Sequence, residues 1–215
     1  MVLASIGLPA LGQQIGLYAP QPPADSAYVR VIVGHGGGNV DVSVNGRQRL
    51  TQIPLATPSP YLVLPAGEHE LSLQSGHQRT QVKVKAAPAH SLTVVALSLD
   101  KTHKPNVVED KISGNRLKAT LSAHNLSPNT INVWTADGQT QVFSALAPGA
   151  SASRVVNPIA FDYKVTGKDK TGAQANGAIA MASGGAYTIV ITRDTNGALH
   201  TQAHTNAIEK YPAKP

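Results

Sequence analysis

The sequence predicts an all-β protein of two tandem β-sandwich domains, immunoglobulin-like or jelly-roll-like, joined by a short linker. Three observations lead to this prediction. Charged residues make up only 14% of the 215 residues, and no long segment shows the 3.6-residue apolar period of a helix. Short runs rich in valine and threonine alternate between apolar and polar residues and are separated by turn residues, which is typical of strands. The order of these features occurs twice along the chain.

Residues 61–73, YLVLPAGEHELSL, show the clearest strand pattern. Four leucines, two on each side of the sequence Pro-Ala-Gly, alternate with other residues, so that each run has one apolar face. Because proline fixes φ and glycine tolerates positive φ, we expect a tight turn between the two runs. The pattern therefore predicts a β-hairpin at the middle of the first repeat unit.

The predicted domains occupy residues 27–99 and 116–206. Residues 100–115, which are polar and charged with one proline, are predicted to be the linker. Gly46 and Gly138 lie in turns that match between the two units. Aligned positions share residue type and order more than identity, so two unrelated β-rich halves remain the alternative to a duplication.

The two ends of the chain are predicted to lie outside the sandwiches. Residues 1–12 are apolar and uncharged, shorter than the ~20 apolar residues of a membrane span, and end in small residues as a secretory signal does. They are interpreted as a residual signal peptide of an exported protein, with no transmembrane segment. The alternative is a disordered N-terminus, since the leading positive charges of a signal are missing. Residues 13–26 are predicted to form a proline-rich extended arm, and residues 207–215 a tail.

Composition excludes several kinds of site. The chain has no cysteine, which excludes disulfides, thiolate metal ligands and a cysteine nucleophile. Its net charge of +6 is not gathered into a basic run, and no aromatic and basic strand of the RNA-binding type is present, so no nucleic-acid partner is expected. A mildly basic surface favours an anionic partner such as a polyuronate or an acidic protein, although it also serves ordinary solubility.

Three short patterns invite a catalytic or metal-binding interpretation, and none is complete. The HGGG sequence at residues 35–38 resembles a lipase oxyanion hole, but no G-x-S-x-G elbow accompanies it. The ADS sequence at residues 24–26 resembles a serine-esterase box without its leading glycine or a matching Asp-x-x-His pair. His200 and His204 would lie ~13 Å apart along a strand, too far to share a metal. The sequence therefore predicts no catalytic residue, no metal and no cofactor.

The strand phase of Trp134 predicts a binding role for this aromatic residue. Ile131 and Val133 take the inward phase of their strand, so Trp134 is expected to point outward. An outward tryptophan can stack on a sugar ring or take part in a protein interface. The alternative is that the linker or the other domain covers it.

The sequences GLYAP at residues 16–20 and DSAYVRV at residues 25–31, with the two-unit layout, resemble the AlgF family. Members of this family are accessory proteins of bacterial exopolysaccharide O-acetylation. The resemblance spans nearly all of the chain after residue 12, and its most specific part is L-Y-x-P … S-A-[YF]-V-R-V. Tyr28 and Arg30 lie in this motif. Together with Trp134 they are the candidate contacts to a partner or a glycan.

The resemblance implies a periplasmic protein without a catalytic centre, needed for acetylation of alginate. It is expected to bind SGNH-type acetyltransferases related to AlgJ and AlgX, alongside a membrane acyl-donor protein resembling AlgI. Cellulose-acetylation systems use a related component, so the polymer remains open. Two other hypotheses stand beside the adaptor. One is a carbohydrate-binding module that uses Trp134, and the other is a cryptic acetyltransferase or esterase that uses Ser26.

Overall fold

The computed structural model describes residues 23–100, 102–168 and 172–210, and these residues form strands, turns and loops. No helix occurs among the described residues, and hence none long and apolar enough to cross a membrane. The all-β prediction is confirmed. The predicted signal remnant at 1–12, residues 13–22 of the predicted arm and residues 211–215 of the predicted tail lie outside the described residues.

Eight strands form the first domain as two four-stranded sheets, with the strand orders β4-β1-β7-β8 and β3-β2-β5-β6. Neighbouring strands are antiparallel except β1 and β7, which are parallel. The strands are β1 (Ser26–His35), β2 (Val40–Val44), β3 (Arg47–Ile53), β4 (Leu62–Pro65), β5 (Gly67–Ser75), β6 (Gln78–Ala86), β7 (Ser91–Ser98) and β8 (Asn106–Glu109).

The second domain repeats this topology strand for strand. Its sheets have the orders β12-β9-β15-β16 and β11-β10-β13-β14, which are the first two orders with eight added to each strand number. The parallel pair also recurs, as β9 and β15. The strands are β9 (Ala119–Asn125), β10 (Ile131–Thr135), β11 (Gln141–Leu146), β12 (Ser151–Val156), β13 (Ala160–Gly167), β14 (Gln174–Ala180), β15 (Ala186–Arg193) and β16 (Leu199–Thr205). The predicted pair of tandem sandwiches is therefore confirmed.

Each sandwich has its own apolar core between its two sheets. Alternate residues of each strand point inward, so the first core is built mainly from valine and leucine. In the second core the rings of Phe143 and Tyr163, 2% and 1% exposed, occupy space that valine and leucine fill in the first core. The low aromatic content of the chain is thus concentrated in one of the two cores.

The predicted hairpin at residues 61–73 is wrong. The residues do form two strands, but β4 pairs with β1 of one sheet while β5 pairs with β2 and β6 of the other. The leucines of both strands are buried in the same core, approached from opposite sides. Gly67 has a φ of 139°, which glycine adopts readily, at the point where the chain crosses between sheets. Alternation fixes the buried face of a strand but does not name its neighbour.

Two predicted boundaries need correction, and the predicted tail begins with a segment bonded to the first domain. Ser26, assigned to the arm, begins β1. Within the predicted linker, Asn106–Glu109 form β8 and pair with β7. Within the predicted tail, Ala207 and Glu209 form backbone hydrogen bonds with Tyr61 of the first domain, at 2.8 and 2.9 Å. These polar segments lack an alternating pattern, but a free sheet edge satisfies their backbone groups.

The two sandwiches pack together through the outer faces of the sheets that contain β1 and β9. Ile32 of β1 and Val95 of β7 meet Leu126 and Val190 of the second domain in a third apolar cluster. All four side chains are at most 2% exposed. Apolar residues in the outward phase of these strands are thus buried by the other domain rather than by their own core.

Gly34 provides a test of this packing, because it lies in β1 where the two domains approach closely. A Cβ at this position would lie 2.8 Å from the carbonyl oxygen of Leu97 and 3.2 Å from Cβ of Leu126. We expect Gly34→Ala to lower the free energy of unfolding by about 1–3 kcal/mol, the usual cost of overpacking, in chemical denaturation. At Gly114 a Cβ would have no atom within 4 Å, so Gly114→Ala is the control. Equal effects of the two substitutions would contradict the close approach.

Candidate functional site at the domain interface

Arg30 is the largest fully buried side chain of the described residues, with no exposed surface. It projects from the outer face of β1 toward the second domain. Its Nε donates a hydrogen bond to Oγ1 of Thr93 at 2.7 Å, and its Nη1 donates to Oδ1 of Asn206 at 2.8 Å. The guanidinium carbon lies 4.6 Å from the ring centre of Tyr61, and Nη2 lies 3.6 Å from the carboxylate of Asp110. Arg30 therefore joins both domains through one buried side chain.

Its polar partners are equivalent positions of the two repeats. Thr93 donates its hydroxyl proton to the carboxylate of Asp110 at 2.5 Å, and Thr188 donates to Oδ1 of Asn206 at 2.8 Å. The backbone N–H of Asp110 bonds to the first residue of β7, and that of Asn206 to the first residue of β15. Arg30 thus contacts Thr93 and Asp110 of the first-domain pair and Asn206 of the second-domain pair, and the first-domain pair supplies the negative charge.

Tyr61 completes the surroundings of Asp110. Its hydroxyl donates a hydrogen bond to the Asp110 carboxylate at 2.7 Å, while its ring lies against Arg30. Burial, the largest cause, together with the neighbouring carboxylate raises the pKa of Tyr61 well above its ordinary value, although the charge of Arg30 acts in the opposite direction. The hydroxyl therefore keeps its proton and remains a donor at neutral pH.

His124 faces the cluster from β9. Its Nε2 lies 3.3 Å from Nη2 of Arg30, and its Nδ1 lies 2.5 Å from Oγ of Ser151. A guanidinium group can only donate hydrogen bonds, so Nε2 must accept. Nδ1 then carries the ring proton and donates it to Ser151. Complete burial, and secondarily the charge of Arg30, lowers the pKa of His124 from 6.5 to about 3, so the ring is neutral at neutral pH.

This polarity decides what the Ser151 and His124 pair can do. In a serine hydrolase, the histidine nitrogen that faces the serine accepts its proton, and a carboxylate binds the other nitrogen. Here the nitrogen facing Ser151 is the donor, and the other nitrogen faces the Arg30 cation. The pair as arranged does not activate Ser151 as a nucleophile. It ties β12 to the interface cluster instead.

An open cleft of about 510 Å³ lies next to this cluster, between the two domains. Tyr28, a half-buried candidate from the sequence, lines it together with Tyr61 and Asn206. Ile112 and Ile208, 44% and 55% exposed, add apolar surface from the segments that follow β8 and β16. The cleft therefore combines polar side chains with exposed aliphatic ones.

The other candidates lie elsewhere. Arg30 is enclosed, so it is not available to a surface partner or a glycan in this structure, and that part of the sequence interpretation is replaced by an interdomain role.

Trp134 is half-buried on β10, and its Nε1 donates to Oγ1 of Thr166 at 3.2 Å. Ser26 is 4% exposed, in β1. His200 lies 3.0 Å from the Asp194 carboxylate, and no group of three metal-ligating side chains occurs among the described residues.

Sequence reasoning missed the interface cluster, apart from naming Arg30. A signal was present, because a charged residue alternates with valines in the strand that begins the first domain. The hydrogen-bond partners of Arg30 are 63 to 176 residues away along the chain, and no local pattern links them.

The Arg30 cluster is testable through the stability of the protein. Arg30→Met would leave the carboxylate of Asp110 buried without a cation, and we expect it to lower the free energy of unfolding by about 3–5 kcal/mol. In the double variant with Asp110→Asn the loss should be smaller, because an asparagine reproduces the uncharged pair that Asn206 forms with Thr188. Chemical denaturation of both variants measures this difference. Purely additive losses would contradict a coupled ion pair.

His124 gives the stability a pH dependence of defined sign. The unfolded chain takes up the proton near pH 6.5, and the folded protein only near pH 3. The stability that neutral His124 contributes is therefore fully present above pH 6.5 and is lost as the pH falls toward 3. Between pH 6.5 and pH 5 we expect a loss on the order of 2 kcal/mol in denaturation experiments.

The matched variants are His124→Gln, which should reduce this slope to the part that the lowered pKa of His204 contributes, and His77→Gln at an exposed position, which should keep it. Nitrogen NMR of the imidazole should show a neutral ring protonated on Nδ1 at pH 7. A ring protonated on Nε2 would refute the donor assignment.

The family model and the curated relatives that match this sequence indicate one family. The sequence model described as "Alginate O-acetyl transferase AlgF" matches residues 1–189. The alginate biosynthesis protein AlgF of Pseudomonas aeruginosa is 32% identical over 158 residues, covering 72% of this chain and 69% of that protein. The protein of the same name from Pseudomonas syringae is 28% identical over 169 residues, covering 78% and 72%.

Two solved structures also match, the C-terminal and N-terminal domains of AlgF from Pseudomonas aeruginosa. Their TM-scores are 0.37 and 0.32 and their sequence identities 23% and 28%. Each alignment covers 42% of this chain and 99% of the solved chain. Because the family's sequence model spans most of the chain and a relative above 30% identity covers nearly three quarters of it, this protein belongs to the AlgF family.

Proposed function

We propose that this protein is a non-catalytic periplasmic adaptor required for O-acetylation of a bacterial exopolysaccharide, and that it acts by binding the acetyltransferase components. The family match carries the proposal, since the matching model is described by alginate O-acetyl transfer and the relatives are named alginate biosynthesis proteins. Alginate is accordingly the polymer we propose, with cellulose as the second. The partners are SGNH-type periplasmic acetyltransferases resembling AlgJ and AlgX.

The interface chemistry supports a binding role over a catalytic one. Acetyl transfer by a serine enzyme needs a nucleophile, a base that accepts its proton and donors for the oxyanion, all in one place. The close serine and histidine pair, Ser151 and His124, has the opposite hydrogen-bond polarity, and the low pKa of the buried imidazole reflects the cost of charging it. In this proposal the pair stabilises the joint between the domains.

The surface supports the same role. Exposed large apolar side chains gather at one end of the second domain, where Leu117, Val155 and Ile159 are 77%, 54% and 55% exposed. Exposed apolar patches on soluble proteins commonly mark interaction sites. Two sandwiches joined by a buried cluster present such surfaces in a fixed relation, which suits a protein that holds other proteins in place.

A carbohydrate-binding module is the second candidate. Trp134 favours it, because a half-buried indole on the outer face of a sheet can stack on a sugar ring. The net charge of +6 would favour an acidic polymer such as a polyuronate.

The adaptor is tested by calorimetry with the purified chain and the SGNH-type acetyltransferases purified from the same organism. We expect saturable binding to at least one of them, and no retardation of this protein in alginate-containing affinity gels. Retardation that Trp134→Ala removes, without binding to any acetyltransferase, would instead establish the carbohydrate-binding module.

Catalysis is tested separately with p-nitrophenyl acetate. We expect hydrolysis at the rate of buffer alone, unchanged by Ser151→Ala or Ser26→Ala. Turnover above that rate that either substitution abolishes would overturn the non-catalytic proposal.

A further inference from the structure

A groove opens into the second domain between its two edge strands. Within the described sheets β12 pairs only with β9, and β11 only with β10. The groove between them has a volume of about 470 Å³ and exposes the rim of the second core, including Val142, Phe161 and Met181. Val155 of β12 and Ile159 of the following loop lie on its border and are more than half exposed.

The charges at this groove have one sign. Lys118 and Arg154 line it, and none of the lining residues is Asp or Glu. The ammonium group of Lys118 donates to the neutral amide of Asn157 at 2.6 Å. Arg154 is exposed and has no ion pair among the described residues. The groove therefore combines apolar walls with two cations that lack a counter-ion.

The first domain shows how the same opening is closed. There a segment that follows β16 runs beside β4, with backbone hydrogen bonds from Tyr61 to Ala207 and from Glu209 to Tyr61. The carboxylate of Glu209 accepts the backbone N–H of Val63 in β4 at 2.8 Å and pairs with Arg49 of β3. An extended segment with the sequence Ala-Ile-Glu thus bridges the two edge strands of the first sandwich.

The two openings are equivalent by register. Val63 lies opposite Tyr28, and Val155 lies opposite Thr120. The backbone N–H of Tyr28 donates to His90, the residue before β7. The backbone N–H of Thr120 donates to Gly185, the residue before β15, so the two positions are equivalent. Val63 is 7% exposed, whereas Val155 is 54% exposed. The same position is covered in one repeat and uncovered in the other.

We propose that the groove between β11 and β12 is the docking site for an extended segment of a partner protein in which an aliphatic residue precedes Asp or Glu. The segment adds to the free edge of β12 by backbone hydrogen bonds. Its aliphatic side chain fills the groove beside Val155, and its carboxylate pairs with Arg154 or Lys118. Taking the partner to be an acetyltransferase component rests on the proposed function.

The positive charge of the groove favours a segment of another protein over a segment of this chain as the occupant. Residues 1–22 and 211–215, the terminal segments outside the described residues, contain no Asp or Glu. The chain has four pairs of Val, Leu or Ile followed by Asp or Glu: Val40-Asp41 in β2, Leu99-Asp100 after β7, Val108-Glu109 in β8, and Ile208-Glu209, whose segment closes the first opening. We therefore assign the carboxylate to another protein.

The first experiment uses a fluorescein-labelled peptide with the sequence TNAIEKY, that of residues 205–211. We expect saturable binding to the full chain in fluorescence anisotropy, with NMR shifts at Val155 and Ile159. Peptides carrying Ile208→Ser or Glu209→Gln should bind about tenfold more weakly, since each loses one of the two recognised groups. Absence of saturable binding, or equal binding of all three peptides, would overturn the recognition chemistry.

The second experiment compares variants of the full chain in binding to the acetyltransferase. Val155→Lys should weaken binding about tenfold or more, and Arg154→Glu should also weaken it. Val107→Lys is the matched control, because Val107 is 42% exposed on another edge strand, β8, outside the groove. Circular dichroism must show each variant folded, and Ile159→Lys replaces Val155→Lys if it does not.

The outcomes distinguish failure of the proposed docking site from failure of the proposed function. Unchanged acetyltransferase binding by folded Val155→Lys would overturn the docking site and leave the adaptor standing. If the wild-type chain binds no acetyltransferase, the proposed function is wrong, and the docking site is then tested by the peptide experiment alone. Self-association that Val155→Lys abolishes, measured by light scattering, would identify a second copy as the occupant and overturn the partner assignment.

Discussion

The buried guanidinium of Arg30 is the interaction on which the arrangement of the two domains depends. A cation with no exposed surface is stable only when hydrogen-bond acceptors and a counter-charge lie close. Those acceptors come from Thr93 in one domain and from Asn206 and His124 in the other. Because neither domain alone supplies this set, burying Arg30 requires both to be present in one relative position.

The repeated topology explains the supply of partners, and a difference between the two repeats explains the single cation. Both repeats provide a threonine bonded to Asp or Asn at the same place, yet the position equivalent to Arg30 is Ser122, which bonds to Ser153 instead. One arginine thus contacts Thr93 and Asp110 of one pair and Asn206 of the other. The edges of the sandwiches have diverged in the same way, since residues 207–209 close the first opening and no described segment closes the second. We expect the functional surfaces to lie where the two repeats differ in this way.

The His124 and Ser151 contact illustrates why residue identity alone is a poor guide to catalysis. The two side chains lie as close as in a hydrolase, but the neighbouring cation reverses which atom donates. Burial then holds the imidazole neutral. Burial at the interface and the charge of Arg30 lower the basicity of His124. A nucleophilic Ser151 would need that basicity, so the contacts that join the domains also leave the serine unactivated.

The sequence by itself determined the all-β class, the tandem units and the family, because periodicity, turn residues and the motif around Tyr28 are local properties. It did not determine the sheet neighbours of β4 and β5, because alternation reports which face of a strand is buried but not against what. Nor did it reveal β8, whose pairing depends on a free edge of β7. The burial of Arg30 and the exposure of Val155 were decided only by tertiary structure, since each depends on segments far away in the chain.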